Sequence, residues 1–201
     1  MKKYGLTLIE LLITVLLVGL VVLSFISIQR FAFHNIIASD RRAKLQNEGY
    51  LILERMTKDL SRAIGEAWNT DCASHPFYLY NVTAQIVFKV MLENNTSATP
   101  ANYTDNTIAI YHYNRTAYTV RYCPQRLTSQ LYCNAAHDCF STDAWDLLSN
   151  KVANLSITPS ISNASAMINI TMRHDPVNQA GIDNPEVNLT TTVRVGSSSV
   201  Q

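Results

Sequence analysis

Glu10 stands at the mouth of an apolar run, in the stretch Tyr4-Gly-Leu-Thr-Leu-Ile-Glu-Leu-Leu-Ile-Thr-Val-Leu-Leu-Val-Gly-Leu-Val-Val-Leu23. A carboxylate at membrane depth costs a few kcal/mol even on gentle insertion scales, so it should persist only where something positive meets it. No lysine lies inside the run. Cleavage after Gly5 would supply the missing partner, because the new α-amino group on Leu6 would be a cation four residues from Glu10 at the top of the same helix. That partner could belong to the same chain or to a neighbour. The chemistry open to such a pair is charge neutralisation in a low-dielectric core, where an unpaired ion is costly.

Four cysteines, Cys72, Cys123, Cys133 and Cys139, all lie beyond the apolar run. An even number favours two disulfides in an oxidising compartment. A zinc site using His137 would need regular ligand spacing, and no Cys-x-x-Cys knuckle is present, so disulfides are preferred and no metal is expected. Pairing Cys133 with Cys139 would close a small loop and leave Cys72 with Cys123, although the sequence permits three connectivities. His34, His75, His112 and His174 fall in dissimilar surroundings, without His-Glu-x-x-His, Gly-x-Ser-x-Gly or a phosphate-cradling glycine loop. No catalytic group and no cofactor is nominated, and an enzyme is not expected. The oxygen-rich loop from Asp175 to Glu186 could hold calcium, yet Asp, Asn and Pro are also what turns require. Tyr78, Tyr80, Tyr103, Tyr111, Tyr113, Tyr118, Tyr122 and Tyr132 read as half-buried strand residues before they read as an adhesive surface. Triplets such as Asn81-Val-Thr83 and Asn188-Leu-Thr190 read as solvent-facing strand polarity.

These residues need a membrane helix and a body to position them. From Leu11 to Ile28 the chain carries no charge, and at the helical rise that length is about 27 Å, enough to cross a bilayer. A cleaved secretory signal would end in a small-x-small site, which Ser24-Phe-Ile-Ser-Ile-Gln-Arg30 does not offer. Lys2 and Lys3 before the run and Arg30, Arg41 and Arg42 after it leave orientation to the cysteines, which place the C-terminal portion outside the cytoplasm. The 201 residues allow one modest domain with an accessory segment, and 16 Lys and Arg against 15 Asp and Glu leave a net charge of +1, so no nucleic acid is expected.

After the run, Phe33, Ile36, Ile37, Leu45, Ile52, Met56, Leu60 and Ile64 recur at helical spacing among charged residues, and no proline falls between Leu6 and Trp68. The simplest reading is one helix of roughly 60 residues, about 90 Å long. Gly19 and Gly49 each weaken it by about 1 kcal/mol and mark a bend or a close-packing site, while Gly65 marks its end. Beyond Trp68 the period becomes two: Val82 to Leu92, Thr107 to Tyr113, Thr116 to Tyr122, Leu155 to Ile161, Ala166 to Met172 and Val187 to Val195 read as strands. Asn114-Arg115 reads as a tight hairpin turn, and His174 to Glu186 as a long hairpin loop. The fold class is α+β, a long N-terminal helix packed on an antiparallel β-sheet body.

Lys2-Lys-Tyr-Gly5 followed by Leu6-Thr-Leu-Ile-Glu10 and an apolar helix closely resembles the class III leader of type IV pilins and type II secretion pseudopilins. The resemblance implies that prepilin peptidase cuts on the cytoplasmic side after Gly5 and methylates the new terminus at Leu6. Glu10 then aids docking into a helical filament. Leu6 stands where most members carry phenylalanine, and the usual helix-kinking proline is missing. Glu54-Arg-Met-Thr-Lys-Asp-Leu-Ser-Arg-Ala63, Asp146-Leu-Leu-Ser-Asn-Lys-Val-Ala-Asn-Leu-Ser-Ile157 and Val193-Arg-Val195 look like the W-type minor pilins and J-type minor pseudopilins. The implied organisation is a leader at 1–5, a transmembrane half-helix at 6–28, an amphipathic half-helix at 29–67 and a β-rich extracytoplasmic domain at 68–201, at or near a filament tip. The implied partners are prepilin peptidase, other major and minor pilins or pseudopilins, and inner-membrane lipid. The alternative is a membrane-tethered binding module that enters no filament.

Overall fold

The computed structural model describes residues 7–63, 77–93, 106–128, 145–160 and 164–195. Helix α1 runs from Leu8 to Ser61, 54 residues without proline, which is about 80 Å at the helical rise. Its buried positions, Leu45, Gly49, Ile52, Leu53, Met56, Asp59 and Leu60, follow steps of three and four and form one face. Among the described residues N-terminal to Leu45, none is buried. The helix closes earlier than the boundary at 67 read from the sequence: the Arg62 amide turns back to the Asp59 and Leu60 carbonyls, and the Ala63 amide to Leu60. Such i to i−3 bonds tighten a last turn. Leu60 is the last large side chain of the stripe to reach the core among the described residues, and Ala63 beyond the helix end is buried with it.

Two antiparallel sheets complete the body. The first is a meander of five strands, β1 (Phe77–Asn81), β2 (Gln85–Glu93), β3 (Asn106–Asn114), β4 (Thr119–Thr128) and β5 (Asp146–Ser149), in that spatial order. The second holds β6 (Val152–Pro159), β7 (Ser165–Arg173) and β8 (Glu186–Arg194), again in order. The α+β architecture expected from the change of period is therefore present, with the strands divided between two sheets.

One hydrophobic cluster joins all three layers: Leu45, Ile52, Met56 and Leu60 of the helix, Phe88, Tyr111 and Tyr122 of the first sheet, and Leu155, Ile170 and Leu189 of the second. The first sheet is apolar on its other face too, where Val87, Met91, Ile108, Ile110 and Cys123 pack with Tyr78, Tyr80 and Trp145. Lys89 is buried on that strand with its ammonium 5.9 Å from the Tyr78 ring centroid. Gly49 marks where α1 comes closest to the second sheet, since an added Cβ would lie 2.5 Å from Leu189 Cδ1 and 3.1 Å from Met172 Cγ. Of the two readings for that glycine, close packing is the one realised.

Two turns differ from expectation. Val82 and Gln85 exchange backbone hydrogen bonds of 3.0 and 3.3 Å, so Val82–Ala84 is a turn after β1 and not the start of a strand. The β3–β4 connection takes four residues, Arg115–Tyr118, instead of a two-residue turn. The Asn114 side-chain oxygen accepts from the Thr116 and Ala117 amides at 2.9 Å, an Asx turn that absorbs the extra length, and Tyr118 closes it with a left-handed φ of 56°.

Candidate functional site

Thr7 has extended backbone and caps α1. Its hydroxyl oxygen accepts from the Glu10 amide at 3.4 Å, and Glu10 Oε2 accepts in return from the Thr7 amide and hydroxyl, each at 2.9 Å. This is a reciprocal capping box, which satisfies amides that a helix start leaves without carbonyl partners. Glu10 thus has two neutral donors within its own chain. Gly5 and Leu6 lie outside the described residues. The hydroxyls further along fold back onto carbonyls, Thr14 to Glu10 at 2.5 Å, Ser24 to Leu20 at 2.9 Å and Ser27 to Leu23 at 3.0 Å. Hydrocarbon offers no partner for a hydroxyl, and this geometry needs none.

From that cap the helix stands bare. Leu8 is 83% exposed and Phe31 72%, with large apolar side chains exposed throughout between them. No residue of the apolar window is covered by the chain itself, and the helix is long and apolar enough to cross a membrane once. Between Leu8 and Leu45, about 55 Å of helix precedes its first buried side chain.

Where α1 meets the body, its polar groups are matched. Tyr111 donates to Asp59 at 2.5 Å, and the Arg55 guanidinium lies 4.5 Å from the Tyr122 ring centroid. Burial raises the Asp59 carboxyl above its ordinary value, against the lowering effect of the Tyr111 hydrogen bond and of Arg55, Arg62 and Lys58. Burial also raises Tyr111, and the Asp59 charge adds to it. Glu48 accepts from Lys151 at 2.9 Å and Ser149 at 3.1 Å, fixing β5 and the turn after it to the helix. Beside this junction an open groove of about 420 Å³ runs between Leu51, Arg55 and Lys58 of α1 and Leu147 and Leu148 of β5. Its lining includes Glu48 and Glu54, but no nucleophile with an adjacent base is placed there.

The loop between β7 and β8 answers the calcium question with a side chain. Arg173 binds Glu186 through two nitrogens and donates to the Asn178 carbonyl at 2.9 Å and the Pro176 carbonyl at 3.4 Å. The loop's converging oxygens thus surround a guanidinium of the chain. Asn184 completes the frame, accepting from the Asp175 amide at 2.7 Å and donating to the carbonyls of Asp175, Asn178 and Gln179. Among the described residues, no group of three or more His, Cys, Asp or Glu side chains could hold a metal ion.

Cys123 is buried and disulfide-bonded. Cys72, Cys133 and Cys139 lie outside the described residues, as do His75 and His137, and with them the expected pairing. His112 contacts Gln85 at 3.0 Å and stacks near Trp145, while His34 Nδ1 lies 3.6 Å from Asp183. The structure does not bring these histidines together. Tyr111, Tyr113 and Tyr122 are buried in the core, as strand tyrosines, and not displayed as an adhesive surface. Asn188 and Thr190 share the outer face of β8 and bond across to Thr171 and Asn169 at 2.7 and 2.6 Å. Sequence reasoning missed Thr7, although Thr-x-x-Glu before an apolar run is a capping-box signature; it also missed the Asp59–Tyr111 and Arg173 ties, which have no local signal. Compared with known protein families, curated proteins and solved structures, the chain matches none of them.

Proposed function

We propose that this chain is a minor pilin or minor pseudopilin, processed after Gly5, methylated at Leu6 and assembled through α1 into a type IV pilus or type II secretion pseudopilus. Its place is in an initiation or tip complex. One observation supports this above the others: a single unbroken helix is bare and apolar in its first half and carries the body only on its second half. A tether needs only enough helix to cross lipid, about 20 residues. Here no helix residue is buried against the body before Leu45, well past that length, and Phe31, Phe33, Ile36 and Ile37 remain exposed on the extra stretch. Exposed apolar surface of that extent marks contact with other chains. The capping box at Thr7 and Glu10 sits one residue beyond the proposed new terminus, so cleavage would leave it intact.

In that setting the Glu10 carboxylate would hold the helix start and meet the Leu6 ammonium of its own or a neighbouring subunit. Lateral packing of apolar helices then fixes register. Intact mass and N-terminal sequencing of the membrane-extracted protein test the reading. The expected product begins at a methylated Leu6, and a native polypeptide still beginning at Met1 refutes processing. Recovery in sheared filaments, or cross-links to pilins, separates assembly from a tethered binding module.

A further inference from the structure

The loop between β7 and β8 lies at the membrane-proximal end of the body. Asp183 near its tip touches α1 at two places, accepting from the Arg41 guanidinium through its carbonyl and facing His34 Nδ1 at 3.6 Å through its carboxylate. Leu189 of β8 meets the helix further along, at Gly49, so β8 runs away from the membrane as it leaves the loop. The apolar run ends at Ile28, and six residues of helix to His34 add about 9 Å. The headgroup layer extends about 5–8 Å beyond the hydrocarbon on each side. A helix seated by its apolar run therefore carries the loop tip to the outer edge of the headgroups, and tilt toward the loop brings it lower.

What the loop presents there is apolar. Val177 is 75% exposed and Ile182 69%, and neither belongs to the buried core. They are not the loose ends of an unstructured segment: Arg173 and Asn184 bond the backbone on either side of Val177, and the Gly181 amide donates to the Asn184 carbonyl across Ile182. On the helix, Phe31 and Phe33 are exposed at about 4.5 and 7.5 Å above Ile28, the depth where aromatic side chains favour the interface. Arg30 stands about 3 Å above Ile28, at the depth of lipid phosphates.

We infer that the β7–β8 loop rests on the bilayer surface, with Val177 and Ile182 entering the headgroup layer beside Phe31 and Phe33, so that lipid holds the body at a second point. The inference depends on α1 crossing a bilayer and not on assembly into a filament. Before any assembly, the second contact holds the body close to the membrane and restricts its swing about the helix.

The test uses the full chain, methyl-labelled, in lipid discs of phosphatidylethanolamine and phosphatidylglycerol doped with a lipid whose headgroup carries chelated gadolinium. Paramagnetic broadening should remove more than about half of the Val177 and Ile182 methyl intensity, while Val193, near the far end of β8, keeps most of its signal. Equal retention at all three positions overturns the inference. The Val177→Ser and Ile182→Ser double variant alters no core residue and should weaken the broadening at Val187, at the start of β8. Unchanged broadening there would mean that helix tilt alone lowers the loop, and would equally overturn a lipid contact made by these two side chains.

Discussion

The Tyr111 hydroxyl donates to the Asp59 carboxylate across 2.5 Å, tying the last turns of α1 to the central strand of the five-stranded sheet where both residues are buried. A buried acceptor that loses its donor costs about 1–3 kcal/mol, so Tyr111→Phe should destabilise the body by that amount in urea denaturation. Asp59→Asn keeps an acceptor for Tyr111 but cannot titrate. Burial raises the folded Asp59 carboxyl above 3.8, so the unfolded chain releases this proton first as pH climbs. The contribution of Asp59 is then fully present below that value and is lost as pH rises through the raised folded value. The stability of Asp59→Asn relative to the parent should increase across that window and level off above it. A difference that stays flat between about pH 3 and 7 would refute the assignment.

Gly49 and Gly19 occupy one helix in opposite surroundings. Alanine gains about 1 kcal/mol of helix propensity over glycine at either site. At Gly49 the new Cβ would meet Leu189 Cδ1 at 2.5 Å, whereas nothing lies within 4 Å of Gly19. Overpacking of a core costs about 1–3 kcal/mol, so Gly49→Ala should give a net loss of about 1 kcal/mol and Gly49→Leu a larger one. Gly19→Ala should leave the urea midpoint of the body unchanged. Equal midpoints for the two alanine variants would contradict the close approach of α1 to β8.

At the other end of the helix, the cap and the charge of Glu10 can be separated. Thr7→Ala should cost about 1 kcal/mol of local stability, read as faster amide exchange at Ile9 and Glu10 without loss of the body. Glu10→Gln retains a capping acceptor and removes the charge. It should keep the helix start protected yet fail to enter filaments, and Glu10→Val should insert in the membrane but fail both at the cap and in assembly. Normal incorporation of Glu10→Gln would show that the acid acts through its cap and not through the Leu6 ammonium.

Arg173 is the tie of the β7–β8 loop. Arg173→Met preserves the aliphatic stem but takes the guanidinium donors from Glu186 Oε2 and the Pro176 carbonyl, and leaves the Asn178 carbonyl to Asn184 alone. Limited proteolysis within residues 175–184 should become several-fold faster while the β-strand core stays resistant. Added calcium should not protect the parent loop. Protection of the parent by millimolar calcium would show that the guanidinium does not fill the oxygen cage.

Much of this fold was legible because period carries the information. The exposed run to Ile28 and the stripe Leu45, Ile52, Met56 and Leu60 are visible in the letters, and so is the switch to alternation at Ile86, Phe88 and Val90. β1 was not legible: Phe77-Tyr-Leu-Tyr-Asn81 is aromatic on both faces, since the sheet beside it is apolar on both sides, and alternation then loses its contrast. The division into two sheets is a long-range matter, set by where β5 turns over Lys151 onto Glu48. At the candidate site Glu10 was conspicuous because an acid in an apolar run is expensive, and its partner Thr7 was overlooked because a threonine there costs nothing. Asp59 and Tyr111 are 52 residues apart and neither is unusual for its own element. Only the packing of helix on strand discloses them.

A rigid rod magnifies angles. The 54-residue helix has no proline to interrupt it, so a change of about 5° in its lean displaces the far end by about 7 Å over its length of about 80 Å. With α1 seated across a bilayer, membrane thickness would bias that lean, and lipid composition would become a lever on where the β-sheets point.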